Sequence, residues 1–265
     1  MADVWLLLSI YNCVKVTVMR IREIKAKSVL SKSQVYDYAL NPYVGCTHAC
    51  VYCYARFMKR FTGHREMWGE FLDVKINAPE LLMKEIGRKK PGRVWVSGVC
   101  DPYQTAEKRY GLTKRCLEIL IENGWAVSVQ TKSPLVLRDL EILKRSQDSE
   151  VCLTVTTADE NIRRIFEPGA PSIAERVNAL RSIHSEGVTS IAMIAPVLPG
   201  AEGLVEMLKG CVDHVLVDRL NYHYADRIYK KHKMEWAMED GFFSQMGETL
   251  SKGFEKKGIP CQALF

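Results

Sequence analysis

Three cysteines fall within eight residues of the segment NPYVGCTHACVYCYARF, at Cys46, Cys50 and Cys53. Three residues separate the first pair and two separate the second, and Gly45 gives the backbone room to turn just before them. Thiols at such spacing are typical ligands of a metal ion or of an iron–sulfur cluster. Residues 45–53, which carry these thiols and which we call the cluster loop, are therefore the first candidate for chemistry in the chain.

The number of protein ligands distinguishes a zinc site from the site of an iron–sulfur cluster. A structural zinc site needs a closed tetrahedron, often built from paired CxxC motifs or added histidines. The cluster loop has one CxxC, and His48 could supply a fourth ligand, although a packing role is more common for such a histidine. Three cysteines suit a 4Fe–4S cluster that keeps one iron free for a substrate or cofactor, whereas four suit electron transfer. A structural zinc protein and an iron–sulfur electron carrier are the alternatives.

Length and composition limit the other possibilities. The chain has 265 residues, of which 47% are hydrophobic and 26% charged, so it can form one sizeable core in a single domain. Its formal charge of +6, from 37 basic and 31 acidic side chains, is compatible with a polyanionic partner but is weak support for one. Nine cysteines, an odd number and mostly scattered singly, argue against a disulfide framework and indicate the cytoplasm.

The N-terminal residues lack the features of a targeting segment. The apolar run in MADVWLLLSIYNCVKVTVMR is short, lacks a basic leading region and is not followed by a clear cleavage site. We therefore predict neither a signal peptide nor a membrane span, and no membrane partner. Residues 1–18 are interpreted as an extension of a single domain over 1–265, with a core at about 20–220 and a basic helical tail at 221–265.

Short apolar strands alternate with amphipathic helices after the cluster loop. The predicted strands are RVWVSGV, WAVSVQT, VCLTVTT, SIAMIAPVLP and DHVLVDRL, and the predicted helices between them include APELLMKEIGRK, LTKRCLEILIENG, SPLVLRDLEILKR and PSIAERVNALRSIHSEG. Asn77 with Glu80 and Ser172 with Glu175 have the spacing of capping boxes. This alternation predicts a parallel sheet with right-handed crossovers. About six units, fewer than the eight of a closed barrel, predict an open or partial barrel.

Functional side chains of such a barrel follow the carboxyl ends of its strands. Polar residues at these positions are Ser97, Cys100, Asp101 and Gln104 after the second strand, Lys132 after the third, and Thr154, Thr156 and Thr157 after the fourth. They are expected to gather with the cluster loop at one mouth of the barrel.

The cluster loop and several later segments resemble one enzyme superfamily. CxxxCxxC with an aromatic residue before the last cysteine, here Tyr52, is similar to the loop of radical S-adenosylmethionine (SAM) enzymes. Over roughly residues 20–220 the chain resembles the spore photoproduct lyase-like branch, in the segments NPYVGCTHACVYCYAR, VSGVCDPYQTAEKRYGLTKRCLEIL, QTKSPLVLRD and TVTTADENIRRIFEPGAPSIAERVNAL. The resemblance implies a partial (β/α)6 barrel of the TIM type that carries a 4Fe–4S cluster and SAM at its carboxyl-terminal mouth.

The resemblance also implies an activity. The cluster, bound by Cys46, Cys50 and Cys53, would take an electron from an external flavodoxin- or ferredoxin-like donor and cleave SAM into methionine and a 5′-deoxyadenosyl radical. That radical abstracts hydrogen from a substrate that the sequence does not identify. Damaged nucleic acid is the candidate by analogy with the branch, and radical modification of a protein or small molecule is the alternative.

Individual residues receive roles from the same resemblance. Lys132 would pair with the SAM carboxylate as a point charge, Thr156 would hydrogen-bond the ribose, and Tyr52 would flank the adenine. Ser97 and its neighbours, including Asp101, would receive the amino group of the methionine moiety. An ordinary surface lysine and a threonine chosen for β-propensity are the structural alternatives for Lys132 and Thr156.

Two further features have both a functional and a structural interpretation. Cys100 stands where the family more often has threonine, so it either fills a threonine-sized space or donates hydrogen to a substrate radical as a catalytic residue. The tail NYHYADRIYKKHKMEWAMEDGFF mixes aromatic and basic residues, a combination that can bind nucleic acid. A solvated, charge-rich helix is the more common cause of such a pattern.

Overall fold

The computed structural model describes residues 19–265, so the interpretation of residues 1–18 falls outside the described residues. The strands in this part are β1 (Arg20–Ile24), β2 (Leu30–Lys32), β3 (Tyr38–Leu40), β4 (Tyr43–Val44), β5 (Phe71–Lys75), β6 (Arg93–Val96), β7 (Ala126–Thr131), β8 (Glu150–Thr154), β9 (Thr189–Ile194), β10 (His214–Val217) and β11 (Cys261–Ala263). The α-helices are α1 (Ala78–Ile86), α2 (Glu107–Tyr110), α3 (Leu112–Glu122), α4 (Leu140–Leu143), α5 (Glu160–Phe166), α6 (Ile173–Ser185), α7 (Leu204–Met207), α8 (Asp226–Lys231) and α9 (Asp240–Glu255). Short 3-10 segments also occur, and one of them, Tyr54–Phe61, directly follows the cluster loop.

Eight strands form the main sheet in the order β11-β10-β9-β8-β7-β6-β3-β2. Neighbouring strands from β3 to β11 are parallel, and β2 runs antiparallel to β3 at one edge. Within residues 19–265 the two outermost strands, β2 and β11, do not pair with each other, so the sheet stays open. The predicted α/β class with a partial barrel is confirmed, and β3 and β10 are the first and sixth of its strand–helix units.

The register of the parallel strands brings their carboxyl ends to one edge. Val96 of β6 lies opposite Leu40 of β3 and Val129 of β7, while Thr131 of β7 lies opposite Leu153 of β8. The central strands are buried on both faces, which is why they read as continuous apolar runs in the sequence. The loops that follow β3, β6, β7 and β8 therefore start side by side.

Two helix starts show where side-chain capping agrees with the sequence and where it does not. Ser172 and Glu175 form the predicted capping box at the start of α6. The capping box predicted at the start of α1 is wrong, because the Asn77 side chain does not cap this helix. It instead accepts from the backbone N–H of Ala26 at 2.9 Å and donates to the Ala26 carbonyl at 3.0 Å, which fixes the chain after β1.

Other elements differ from the sequence-based expectation. The segment SPLVLRDLEILKR forms a 3-10 turn at Pro134–Asp139 and the one-turn helix α4, not one continuous helix. Strands β1, β5 and β4 form a separate three-stranded sheet, which was not predicted. The tail is helical through α8 and α9 but then adds β11 to the main sheet beside β10. In the part of the chain that the structure describes, no helix is both long and apolar enough to cross a membrane.

Candidate active site

A pocket opens beyond the carboxyl ends of β6, β7 and β8. Its lining includes Cys46, Cys50, Cys53, Ser97, Cys100 and Lys132. The structure thus brings the cluster loop together with polar residues that follow two neighbouring strands. We call this cavity the mouth pocket.

The conformation of the cluster loop depends on close backbone approaches. Gly45 has a φ of +91°, and a Cβ there would lie 2.4 Å from the carbonyl oxygen of Phe71, so this turn requires glycine. A Cβ on Gly169 would lie 2.3 Å from the carbonyl oxygen of Thr47. The buried Gln104 side chain accepts from the Thr47 N–H at 3.0 Å and donates to the Gly45 carbonyl at 3.2 Å. The loop is therefore fixed from the β5, α5 and β6 sides.

All three cluster-loop thiols have raised pKa values. Cys46 and Cys50 are buried and Cys53 is partly exposed. Burial raises the pKa of Cys46 well above its ordinary value, that of Cys50 to about 12, and that of Cys53 in the same direction. The positive charge of Lys132 opposes this rise at Cys50 and Cys53. A bound metal centre would supply the further positive charge that turns such thiols into thiolates.

The three cluster-loop thiols line the mouth pocket, and three is the number of protein ligands that a 4Fe–4S cluster with one open iron would need. In residues 19–265, no three His, Cys, Asp or Glu side chains converge closely enough to hold one metal ion. In a 4Fe–4S cluster each thiolate binds a different iron, so the sulfurs stand further apart. His48 Nδ1 lies 3.1 Å from the Gly169 carbonyl, and its Nε2 lies 3.0 Å from Asp101 Oδ2 without the alignment of a hydrogen bond.

Asp101 connects the loop after β6 with the end of β7 through hydrogen bonds. Its Oδ1 accepts from the Tyr103 N–H at 2.9 Å and from Thr131 Oγ1 at 2.7 Å, and its Oδ2 accepts from the Lys132 N–H at 2.8 Å. Burial alone would raise the pKa of Asp101, but the neighbouring His48 and these hydrogen bonds lower it to about 2. With both oxygens engaged, Asp101 holds the mouth pocket together, and its direct contact with SAM stays a prediction.

Ser97 and Cys100 sit together in the wall of the mouth pocket. Ser97 Oγ donates to Asn41 Oδ1 at 2.8 Å and lies 2.8 Å from Cys100 Sγ. Asn41 Oδ1 also accepts from the Val99 N–H at 3.1 Å. Burial raises the pKa of Cys100 to about 12, so the thiol keeps its hydrogen. Sequence reasoning missed Asn41, although its position just after β3 is the signal that marked the other candidates.

A buried ionic centre lies behind Lys132. Glu167 is fully buried, and its Oε2 is 2.6 Å from Arg176 Nη1, which is also buried. Its Oε1 accepts from Thr156 Oγ1 at 3.1 Å and from the Tyr52 hydroxyl, and lies 3.8 Å from Lys132 Nζ. Burial would raise the pKa of Glu167, but the charges of Arg176 and Lys132 lower it overall. We call these five side chains the Glu167 centre.

Two residues with predicted cofactor contacts belong to this centre. The hydroxyls of Tyr52 and Thr156 both donate to Glu167, and Tyr52 belongs to a small buried cluster that also contains Phe166. The Lys132 Nζ lies 5.7 Å from the centroid of that ring. Their contacts with adenine and ribose stay predictions. Sequence reasoning did not single out Glu167, which lies in the loop between α5 and α6.

Exposed aromatic rings flank the mouth pocket and link it to the tail. Tyr54, which lines the pocket, stacks on Tyr222 with centroids 5.8 Å apart, and Tyr222 stacks on Tyr224 at 6.1 Å. Tyr222 is 50% exposed and Tyr224 is 42% exposed. The Arg56 guanidinium lies 5.8 Å from the Tyr224 centroid. We call Tyr54, Tyr222 and Tyr224 the aromatic row.

Comparison with known proteins adds an independent finding. The model of the radical SAM superfamily matches residues 40–203 of this chain. An uncharacterized protein of Methanocaldococcus jannaschii is 35% identical over 183 residues, which cover 68% of this chain and 69% of that protein. An uncharacterized protein of Mycobacterium tuberculosis is 31% identical over 191 residues, which cover 67% of this chain and 56% of that protein, so this chain spans about half of its length.

A solved structure gives the same result at the level of fold. Spore photoproduct lyase complexed with dinucleoside spore photoproduct superimposes with a TM-score of 0.69 over 92% of this chain and 82% of that chain, at 14% sequence identity. At that identity the likeness concerns the fold alone. The family model, in contrast, matches more than half of the chain and includes the whole cluster loop. This chain therefore belongs to the radical SAM superfamily.

Proposed function

We propose that this protein is an enzyme that cleaves SAM reductively at a 4Fe–4S cluster and uses the 5′-deoxyadenosyl radical to abstract hydrogen from a substrate. The observation that carries the proposal is the shared lining of the mouth pocket by the three cluster-loop cysteines and Lys132. An iron–sulfur electron carrier has no need of such a cation-lined pocket. Membership of the radical SAM superfamily supports the same choice.

The cluster loop would hold the cluster through Cys46, Cys50 and Cys53. When SAM is bound, the cluster supplies the electron that breaks a carbon–sulfur bond of the cofactor. The protein's part is to bind SAM, orient it and exclude water. Lys132 is suited to the SAM carboxylate, because burial would lower its pKa but the neighbouring Cys50 and Glu167 raise it overall, which keeps the ammonium charged.

Lys132 is also held at both ends, which favours a fixed position for its charge. Its backbone N–H donates to Asp101 Oδ2 at 2.8 Å, and its Nζ lies 3.8 Å from Glu167 Oε1. In the proposed complex Ser97 and Asp101 receive the amino group of the methionine moiety. Thr156 would then contact the ribose.

Tyr52 is proposed to lie beside the adenine, and Cys100 to act later in the reaction. As the product radical is quenched, the S–H bond of Cys100 breaks, a product C–H bond forms, and the unpaired electron is left on sulfur. The exposure of Cys100 to the mouth pocket and its raised pKa support this role, since only a protonated thiol can donate hydrogen. Filling of a threonine-sized space is the competing explanation.

A nucleic acid is the substrate class that the surface around the pocket favours. Rings that are exposed and stacked on one another can accept unpaired bases, and the aromatic row begins at Tyr54 inside the pocket lining. The fold neighbour was solved with a dinucleoside lesion, which supports damaged nucleic acid in particular. Radical modification of a protein or a small molecule is the alternative.

The proposed chemistry also implies a setting for the protein. All eight cysteines in the described residues are free thiols, which suits a reducing compartment, and we propose the cytoplasm. A low-potential protein of the flavodoxin or ferredoxin class would supply the electron.

Cofactor cleavage without substrate tests the function most simply. Protein reconstituted anaerobically with iron and sulfide should release 5′-deoxyadenosine slowly when dithionite and SAM are added. Cys50→Ala should abolish both iron binding and product, whereas Cys116→Ala, a buried thiol of α3 that does not line the mouth pocket, should keep both. A colourless protein that contains zinc after careful reconstitution would refute the proposal.

The substrate class is tested with SAM deuterated at the 5′ carbon. Oligonucleotides carrying photolesions should exchange deuterium with 5′-deoxyadenosine if nucleic acid is the substrate. Exchange with a protein or small-molecule pool instead would assign the alternative. In a separate assay with unlabelled SAM in D2O, solvent deuterium in the product of the wild type but not of Cys100→Thr is expected if Cys100 is the donor.

A further inference from the structure

A second cavity lies beside the segment that follows the cluster loop. Its lining residues are Arg56, Phe57, Lys59, Arg60, Gly63 and His64, and it shares none of them with the mouth pocket. Three of the six are arginine or lysine and none is acidic. We call this cavity the basic groove.

The cationic side chains of the basic groove contact backbone carbonyls and aromatic rings. Lys59 Nζ donates to the Arg65 carbonyl at 3.1 Å, and Arg60 Nε donates to the Phe57 carbonyl at 3.2 Å. The Arg60 guanidinium also lies 5.8 Å from the centroids of Phe57 and Phe61. Hydrogen bonds to carbonyls orient these side chains without neutralising them, so their positive charge is available to a partner.

The acidic side chains behind His64 do not cancel this charge. His64 lies 2.9 Å from Asp73 and 3.0 Å from Glu66. Asp73 is paired with Arg22 at 2.7 Å, and Glu66 with Arg20 at 2.6 Å. Each of these carboxylates is therefore balanced locally, and the field of the basic groove stays positive.

The groove is connected to the cluster loop by a short path. Its wall is the 3-10 segment Tyr54–Phe61, which begins at the residue after Cys53. Arg56 Nη2 donates to the carbonyl of Cys50 at 3.3 Å, so one side chain touches both the groove and a cluster-loop residue. A partner bound in the groove would sit next to the cysteines without entering the mouth pocket.

An exposed apolar ring borders the charges. Phe61 is 70% exposed, and its ring centroid lies 5.8 Å from the Arg60 guanidinium. Aromatic residues, methionine and arginine are enriched where proteins meet, and electron-transfer complexes use small interfaces of this kind. The combination is typical of a transient protein contact that is guided by charge.

We propose that the basic groove is the docking surface for an acidic one-electron carrier protein of the flavodoxin class. This inference rests on the proposed function, because only an enzyme that must be reduced needs such a partner. The carrier is oxidised by one electron and the centre held by the cluster loop is reduced by one, with no bond made or broken in the carrier. The mouth pocket stays free for SAM and substrate, since the two cavities share no lining residue.

Charge reversal in the groove tests the docking directly. The reconstituted holoenzyme is titrated with an oxidised acidic flavodoxin, and the Kd is measured at low and high salt. Lys59→Glu/Arg60→Glu should raise the Kd at low salt by about tenfold or more, the lower end of electrostatic steering effects, and the salt dependence should shrink. The Kd of Lys59→Gln/Arg60→Gln should lie between that of the wild type and that of the charge-reversal variant. Lys84→Glu/Arg88→Glu, two exposed cations at the end of α1, change the net charge equally and should have little effect.

Two activity measurements separate this inference from the proposed function. The groove variant should keep its iron and its 5′-deoxyadenosine yield with dithionite, but lose yield when reduced flavodoxin is the donor. A wild type inactive with dithionite would refute the proposed function, whereas the binding result would still stand. Equal Kd changes in the groove and α1 variants, or no change in either, would overturn the docking proposal. So would a groove variant that loses affinity for a single-stranded oligonucleotide while binding flavodoxin normally.

Discussion

Two ion pairs in this protein have the same separation between their charged atoms but differ in their exposure to solvent. Arg176 Nη1 and Glu167 Oε2 are 2.6 Å apart, and both side chains are fully buried behind the mouth pocket. Arg20 Nη1 and Glu66 Oε1 are also 2.6 Å apart, but their side chains are 61% and 21% exposed. The first pair belongs to a network that ends at Lys132, and the second ties β1 to the loop before β5 and continues through His64 to Asp73.

The difference shows what burial does to an ion pair. An exposed pair is screened by water and contributes little to folding. A buried pair loses the hydration of both charges, so each partner depends on the other, and removing one leaves an uncompensated charge. Burial of the Glu167 centre is thus poor evidence for extra stability. It is better explained by the need to hold Lys132 in one position beside the cluster loop.

The largest expected effect comes from breaking the buried pair. Glu167→Gln leaves the Arg176 charge without its partner and should lower the free energy of unfolding by about 3–5 kcal/mol. Denaturant unfolding of the iron-free protein measures it, and Glu66→Gln is the matched control at the exposed pair. Equal effects of the two substitutions would contradict the contrast between the pairs.

Removing both buried charges sharpens the same comparison. Glu167→Gln/Arg176→Met should recover much of the stability lost in Glu167→Gln, because no uncompensated charge remains. Affinity for SAM, measured on the reconstituted protein, should not recover, since Lys132 still lacks the carboxylate that fixes it. If SAM affinity returns together with stability, the Glu167 centre has a structural role only.

A smaller effect is expected from Lys132 itself. Lys132→Ala should weaken SAM binding by roughly 1.5–3 kcal/mol, the typical loss of one charge-assisted contact, and leave the iron content intact. Equilibrium binding of SAM to the reconstituted wild type and variant measures this loss of binding free energy. A variant that binds SAM as tightly as the wild type would show that Lys132 is not the carboxylate ligand.

The smallest effect concerns acid stability at the exposed pair. Hydrogen bonds from a backbone N–H, Arg20 and His64 lower the pKa of Glu66 to about 2. Because this pKa is depressed, ionised Glu66 stabilises the folded protein above the ordinary glutamate pKa of about 4.3. This stabilisation is lost as the pH falls toward 2. The free energies of unfolding of the wild type and of Glu66→Gln should therefore differ near neutral pH and become equal at the acid end of that window. A difference that stays constant with pH would contradict this assignment.

The sequence predicted those parts of the fold whose signals are local. Strands β6 to β10 were recognisable as apolar, β-branched runs, and the capping box of Ser172 and Glu175 has its partners three residues apart. Asn77 had the same spacing to Glu80, but its side chain bonds to Ala26, about fifty residues earlier in the chain. Strands β1, β5 and β11 were missed because their partners are equally distant or lie beyond a helix.

The site could be predicted in part for a related reason. Lys132 and Cys100 were found because strand ends mark the mouth of a barrel, and the cluster loop was found by cysteine spacing. Glu167 lies in a loop between two helices, where no periodic pattern indicates that a carboxylate is buried. Its role follows only from the three-dimensional convergence of Arg176, Lys132 and Thr156 on it.

The central claim is that Cys46, Cys50 and Cys53 hold a 4Fe–4S cluster to which SAM binds. Electron paramagnetic resonance of the reconstituted, dithionite-reduced protein tests it most directly, with and without SAM. We expect the signal of a reduced 4Fe–4S cluster whose g-values and line shape change when SAM is added, and whose response is lost or weakened in Lys132→Ala. A cluster signal that SAM leaves unchanged, or a protein that takes up zinc and gives no signal, would contradict the claim.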